Sequence, residues 1–216
     1  ANSGTIGADA QPISVQVGGT LTVQNQGDVN LVSDEKLNLV ADSDGQLNIT
    51  VEDNLNISST EKDITVGQVT ASNVSIQSAG AVLAGDQGQS DAHVTGSAIS
   101  ISAQQGVGTN AQLTVNTGVD GWLKLTANNG SVDVQEVSGD LTVDTVQVTG
   151  GDVTLTTTDG DILAKNPDSL SDAAEVARAL AQAQAQKQEQ RSQLFHRDLL
   201  FLFILEHIIP ECGKDG

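Results

Sequence analysis

One short phrase recurs along most of this chain. It starts with a turn made of Gly, Asn or Asp, continues with one polar residue, and ends in an aliphatic–polar–aliphatic triplet. Alternation of apolar and polar residues predicts a β-strand with one buried face, and Gly and Asx residues favour the turns between strands. The phrase therefore predicts an all-β chain. Its copies are GGTLTV (18–23), GDVNLV (27–32), DGQLNIT (44–50), EDNLNIS (52–58), SNVSIQ (72–77), GSAISIS (96–102), NAQLTVN (110–116), NGSVDV (129–134), GDLTV (139–143), GDVTL (151–155) and GDILA (160–164).

Aromatic residues are too few for a thick core. Many short strands suit either a sandwich or barrel, or a β-solenoid. Sandwich cores usually need rings between their sheets, whereas stacked aliphatic residues fill the narrow core of a solenoid. The 216 residues include one Trp, three Phe and no Tyr, and Trp122 is the sole aromatic residue of 1–165. This favours a parallel β-solenoid, with two or three phrases in each coil and about six to eight coils.

The composition changes at Pro167. The following residues are rich in Ala, Gln and Glu, which predicts a helix over about 172–193. The next segment, 194–210, is more apolar, but its longest apolar run is far shorter than the ~20 residues that a membrane span needs. We therefore predict a β-solenoid domain at 1–165 and a C-terminal α-helical tail at 166–216. The tail either caps the last coil or mediates self-association.

The chain is strongly acidic. It carries 28 Asp and Glu against nine Lys and Arg, which gives a formal net charge of −19. Nucleic acids and anionic membranes attract basic surfaces, so the charge argues against both as partners. Its single cysteine, Cys212, permits no disulfide within the chain. An acidic surface of this kind fits a secreted or cell-surface protein.

Aspartate is frequent at the predicted turns. Asp42 and Asp44 have the spacing that opens a calcium loop, and Asp152 and Asp161 begin two of the last phrases. Calcium takes six to eight oxygen ligands, but the rest of an EF-hand loop and the nonapeptide of calcium-binding β-rolls are missing. The simpler interpretation is that these carboxylates, like Asp140, close turns at solvent-exposed coil corners. The alternative is weak binding of Ca²⁺ between stacked corners, and no other cofactor is expected.

Candidate catalytic groups are scarce. Trp122 is a candidate ring for stacking sugars, and its alternative role is to fill or cap a coil. His93 is the only histidine of 1–165 and suggests neither a metal site nor a triad. Some parallel β-helices cleave polysaccharides with paired carboxylates, and they tend to hold the sugar with basic or aromatic groups. The predicted solenoid has four Lys and no Arg, so we expect no enzyme.

Three segments carry a family resemblance: SNVSIQSAGAVLAG (72–85), NNGSVDVQEVSGDLTV (128–143) and GGDVTLTTTDGDILA (150–164). They resemble the haemagglutinin-type repeats of filamentous-haemagglutinin-like adhesins, which are exoproteins of bacterial two-partner secretion systems, and autotransporter passengers are similar. The resemblance covers roughly residues 11–165, and the Ala/Gln-rich tail departs from it. It implies a right-handed parallel β-helix, export from a bacterial cell and a role in adhesion, and it brings no catalytic residues.

Two functions are consistent with these features. The first is a non-catalytic adhesive or structural stalk of an extracellular or surface-located bacterial protein, which would contact host-cell or matrix components or glycans. The alternative is a carbohydrate-active β-helix that binds or cleaves polysaccharide. This alternative predicts a groove that holds Trp122 beside two carboxylates about 5–9 Å apart.

Overall fold

Two long parallel β-sheets form the structure. The computed structural model describes residues 4–87 and 92–165, and every pairing between its named strands is parallel. The chain passes from one sheet to the other and back, so that each circuit stacks on the one before. This topology is a parallel β-solenoid of about seven turns.

The strands of each sheet come from successive turns. Sheet 1 has nine strands: β1 (Ile13–Ser14), β3 (Val29–Ser33), β5 (Gln46–Val51), β7 (Ile64–Thr70), β9 (Val82–Ala84), β10 (Val94–Thr95), β12 (Leu113–Asn116), β14 (Val132–Glu136) and β16 (Val153–Thr157). Sheet 2 has eight strands: β2 (Thr20–Asn25), β4 (Leu37–Ser43), β6 (Asn54–Ser58), β8 (Asn73–Ser78), β11 (Ala98–Ala103), β13 (Trp122–Ala127), β15 (Leu141–Val148) and β17 (Ile162–Ala164).

The core consists of aliphatic columns that run along the stack. Because side chains alternate across a strand and paired parallel strands keep their register, the same position of each turn points inward. Over five successive turns, one column of sheet 2 contains only Leu and Ile, and these five residues are nearly inaccessible to solvent. They are, from one turn to the next, Leu39, Ile57, Ile76, Ile101 and Leu125.

The length of a turn changes along the stack. Partners in the first turns, such as Leu31 and Ile49, are 18 positions apart. Val69 and Val94 are 25 positions apart, and the last turns settle at 21, as between Val134 and Leu155. The extra residues leave the inner columns intact, since Val82 and Val94 of the longest turn still pair with Ile64 and Val69 of β7.

Glycines allow the corners of neighbouring turns to stack closely. A Cβ on Gly160 would collide with the backbone of Gly139, and one on Gly45 would collide with the backbone of Gly27. Close approach of two backbones, rather than a special φ angle, therefore explains Gly at the stacked Gly160.

All eleven predicted phrases coincide with strands, and the solenoid rather than the sandwich is the correct fold. The repeated phrase did not predict six of the described strands. Three of them, β1, β9 and β10, are two or three residues long, whereas β4, β7 and β13 are full-length strands. The described residues contain no helix that is long and apolar enough to span a bilayer. The predicted helical tail at 166–216, and with it the choice between cap and oligomerisation element, lies outside the described residues.

Candidate functional site

A groove on the outer face of sheet 1 is the candidate site. Its floor is formed by residues of β3, β5 and β7, its first wall by Asp9 and Pro12 before β1, and its second wall by Asp86 and Gln87 after β9. Its volume is about 450 Å³. The residues that line it are Asp9, Pro12, Asn30, Leu31, Val32, Gln46, Asn48, Ile49, Thr50, Gln68, Asp86 and Gln87.

An asparagine pair crosses the floor of the groove. Asn30 and Asn48 occupy the same outward position in successive turns, and the Asn48 Nδ2 donates to Asn30 Oδ1 at 2.8 Å. The same Nδ2 donates to the Asp9 carboxylate at 3.3 Å, while Asn48 Oδ1 accepts from the Gln68 backbone N–H at 2.9 Å. Asn48 thereby ties the first wall of the groove to its floor.

The backbone makes room for two floor amides. The register between β5 and β7 shifts at Leu47/Asn48, which leaves Gly67 as the extra residue of a β-bulge. A Cβ on Gly67 would collide with the Asn48 amide oxygen, and one on Gly85 would lie 2.8 Å from Gln46 Oε1. Because β-bulges re-aim side chains and often lie beside functional sites, this local irregularity supports the groove as a built feature.

The charge of the groove is negative. Asp9 stands on one wall and Asp86 on the other, and Lys, Arg and His are absent from its described lining. Gln46 links the floor to the second wall, because its Oε1 accepts from the Asp86 backbone N–H at 2.8 Å. The site therefore offers carboxylates, amides and the Thr50 hydroxyl.

Asp42 and Asp44, which the sequence predicts as candidate cation ligands, bind the neighbouring turn. The Asp42 carboxylate accepts from the Thr60 N–H and hydroxyl, both at 2.8 Å, and Asp44 forms an ion pair with Lys62 at 2.6 Å. Burial raises the pKa of Asp42, but the hydrogen bonds from Thr60 and Glu61 outweigh burial and hold this pKa below its ordinary value. Both carboxylates thus hold the corner of the next turn.

Of the aspartates in the last phrases, Asp140 and Asp161 lie at stacked corners of neighbouring turns, and Asp152 lies at a different corner. Asp140, Asp152 and Asp161 are exposed, as predicted. Asp152 precedes β16 of sheet 1, whereas Asp161 precedes β17 of sheet 2 and donates its backbone N–H to Asp140 Oδ1 at 2.7 Å. Across residues 4–87 and 92–165, no three His, Cys, Asp or Glu side chains cluster so as to hold a metal ion. Weak Ca²⁺ binding at these corners stays a prediction.

Trp122 lies on sheet 2, away from the groove. It is half-buried at the start of β13, and the Lys165 Nζ lies 3.7 Å from the centroid of its ring. Lys165 also approaches the Asp144 carboxylate at 3.8 Å. The ring face that the cation covers is engaged within the chain, and the role of Trp122 in ligand binding stays a prediction.

His93 lies directly before β10 and contacts both β12 and the residue that follows β9. Its Nδ1 lies 2.6 Å from the Thr114 hydroxyl, and its Nε2 lies 3.1 Å from the Gly85 carbonyl oxygen. Burial lowers the pKa of His93, although the contact with Gly85 and the charge of Asp86 act in the opposite direction. Since the segment after β9 forms the second wall of the groove, His93 supports that wall from behind.

Glu136 is a carboxylate in a column of aliphatic residues. It continues the inward position of Val94 and Val115, and it is fully buried. Its carboxylate accepts from the Thr117 N–H at 3.1 Å and from the Thr117 hydroxyl at 2.9 Å. Burial raises the pKa of Glu136, and the hydrogen bonds from Thr117 only partly offset that rise.

The groove residues were not recognised from the sequence. A usable signal was present: Asn30 and Asn48 are one 18-residue turn apart at outward positions. The walls could not be anticipated, because they come from segments outside the repeated phrase. No protein-family model, curated protein or solved structure matches this chain.

Proposed function

We propose that this chain is a non-catalytic segment of an exported bacterial protein, in which it forms an adhesive stalk at the cell surface or in the medium. The observation that carries the proposal is the continuous stack of parallel turns on one aliphatic core. Each turn contacts only its neighbours, so such a stack extends by adding turns and stays rigid along its axis.

The dimensions suit a spacer. Eight successive strands in one sheet, at ~4.8 Å each, give a stack roughly 34 Å long. A net charge of −19 keeps such a surface solvated and discourages lateral association. The groove on sheet 1 supplies a place where a target on a host cell or matrix would be held.

The test combines shape and adhesion, both measured on the full chain. Small-angle scattering is expected to give a rod-like profile, and beads coated with the protein are expected to attach to cultured cells or to immobilised matrix glycans. Beads coated with an unrelated acidic protein of similar charge form the control. Failure to attach to any surface would remove adhesion and leave a purely structural spacer.

A second candidate is a carbohydrate-active protein, and the groove with its two carboxylates is the observation in its favour. It would cleave a polysaccharide with Asp9 and Asp86 as the acid–base pair. A reducing-end assay over a panel of polysaccharides separates the two candidates. Sustained turnover that disappears in the Asp86→Asn variant would reject the non-catalytic stalk and support the carbohydrate-active protein.

A further inference from the structure

We propose that the apolar segment 194–210 of this chain binds the C-terminal end of the stack and covers the core that the last described turn leaves open. The inference goes beyond the proposed function, because it assigns a partner to a surface that adhesion does not use. It follows from the exposure of the last described turn, the composition of the segment and the charge of the chain.

The core loses its cover at the last described turn. Val153 pairs in register with Val132 of the turn before, and Ile162 pairs in the same way with Leu141. Val132 and Leu141 are 1% and 0% exposed. Val153 and Ile162 are only partly buried, and so is Ala164 beside them, and these three residues form the open end of the core. Because each turn of a solenoid covers its neighbour, the inner side chains of an end turn stay exposed unless another segment covers them.

The same end presents strand edges. Within residues 4–87 and 92–165, β16 pairs only with β14, and β17 pairs only with β15. An uncovered edge exposes backbone N–H and C=O groups and promotes pairing with other chains, and a covering segment prevents this. Leu163, at the centre of β17, is 44% exposed and adds an apolar side chain beside the edge. The end therefore combines apolar side chains with strand edges, and one covering segment would protect both.

Segment 194–210 has the composition that such a surface requires. Eleven of its 17 residues are Leu, Ile or Phe, and it contains all three Phe of the chain. Removing side chains of this kind from water is favourable, so the segment gains by packing against an apolar surface. Residues 166–193 join the segment to Lys165 at the end of β17. This tether makes binding to the open end intramolecular, and it raises the effective concentration of the segment there.

Charge favours the chain's own segment over a second copy as the partner. Each chain carries a net charge of −19, so two chains repel one another when their stacks approach. Asp152 and Asp159 are exposed at the corners before β16 and β17, where a second copy would meet them. Segment 194–210 contains one Arg, one Asp and one Glu, and it therefore brings little net charge to this end.

The single tryptophan and the single cysteine of the full chain allow the proposal to be tested by energy transfer. Cys212 lies two residues after the segment and carries a dansyl-type acceptor, and Trp122 is the donor. Two strand spacings place Trp122 about 10 Å from β17, and five place it about 24 Å from β2 at the opposite end. We expect strong transfer that does not change when the protein is diluted and that is lost in denaturant.

Variants on both sides of the contact locate the binding. Phe201→Asp with Phe203→Asp places two charges in the apolar run and should lower the transfer at least twofold. Ile162→Asp changes the open end itself and should lower the transfer in the same way, with circular dichroism to check that the stack stays folded. The matched control, Gln182→Asp with Gln184→Asp, adds two charges at the same spacing to the polar residues before the segment. This control should transfer like the parent.

Three results would overturn the proposal. Transfer that disappears on dilution, or that arises between separately labelled copies, would show that a second copy holds the segment. Weak transfer at every dilution would show that the segment does not bind the open end and lies elsewhere, the opposite end of the stack included. An equal loss of transfer in the glutamine control and the phenylalanine variant would show a general effect of added charge. Bead attachment measures adhesion separately, so each of these results leaves the proposed function to its own test.

Discussion

Turns of 18 residues at the N-terminal end and turns of 21 to 25 residues further along are built on the same aliphatic columns. Leu39 in an early turn and Leu125 in a later one occupy a single column of sheet 2, and both are buried. The two regions differ outside that core. The early turns carry asparagine pairs such as Asn38 and Asn56, whereas the later turns carry additional residues, a buried Glu136 and a cation over Trp122.

This difference shows where a stacked fold tolerates change. Added residues are accepted between strands of sheet 1, because loop insertions cost little when the inner columns keep their register. Each added segment then needs polar partners for its own backbone. Asn110 supplies them at β9, since its amide donates to the Ala84 carbonyl and accepts from the Ala84 N–H.

The strongest test of the shared core is to truncate one side chain of the same column in each region. Leu39→Ala and Leu125→Ala each remove most of a fully buried side chain and leave a cavity, which costs about 2–5 kcal/mol in such sites. We expect similar losses in the free energy of unfolding for the two variants, measured by denaturant titration with circular dichroism. A much smaller loss at Leu125 would show that the later turns collapse around a cavity and that the two cores are not equivalent.

The regular part of the fold was predictable from the sequence. Phrases such as GDVNLV and DGQLNIT combine a turn signal with alternation, and both became strands in the predicted places. Strand β4 was missed although Asp34 in SDEK (33–36) is a turn residue and Leu37-Asn38-Leu39 alternates like the phrase; two residues rather than one separate this Asp from the first aliphatic residue. Strands β9 and β10 escaped because an insertion divides what is one strand in the preceding turn, where β7 pairs with both.

Removing the side chain that bonds both backbone polar groups of Ala84 should have the next largest effect. Asn110→Ala takes the side-chain partners from the partly buried N–H and C=O of Ala84, and a lost hydrogen bond of this kind costs about 0.5–1.5 kcal/mol. Hydrogen exchange should show faster exchange at Ala84 and Gly85, with the early turns unchanged. Asn129→Ala, at an exposed turn, is the matched control. Equal effects of the two changes would show that the hydrogen bonds between Asn110 and Ala84 do not stabilise this part of the chain.

The groove was less predictable than the strands, for a physical reason. Its floor follows the repeat, so Asn30 and Asn48 could have been paired once the turn length was known. Its walls contain Asp9 and Asp86, and the segments to which these two residues belong have no periodic sequence pattern. Alternation reports which face a residue occupies, but it does not report which distant segments cover that face.

The buried carboxylate of the later turns gives the two regions different responses to pH. Because the folded-state pKa of Glu136 is raised, the folded chain binds this proton more tightly than the unfolded chain does. The stability that the protonated form contributes is present well below pH 4.5 and is lost as pH rises through the folded-state pKa. Glu136→Gln should therefore gain stability relative to the parent as pH rises.

Thermal unfolding of both proteins from acidic to neutral pH measures this gain, and Glu52→Gln, at an exposed glutamate, is the control. A constant difference between Glu136→Gln and the parent at every pH would mean that the carboxylate makes no pH-dependent contribution. The amide keeps an oxygen that accepts from Thr117, so loss of that acceptor does not confuse the comparison.

The smallest expected effect concerns the cation over Trp122. Lys165→Met keeps the length of the side chain and removes the ammonium, and an exposed cation–π contact is worth ~0.5–1 kcal/mol. Trp122 is the only tryptophan of the chain, so its fluorescence reports this contact without interference. Lys165→Met should shift that emission and lower stability slightly. Lys124→Met, on the same strand as Trp122, should change neither the emission nor the stability. An unchanged emission spectrum for both variants would show that Lys165 does not cover the ring in solution.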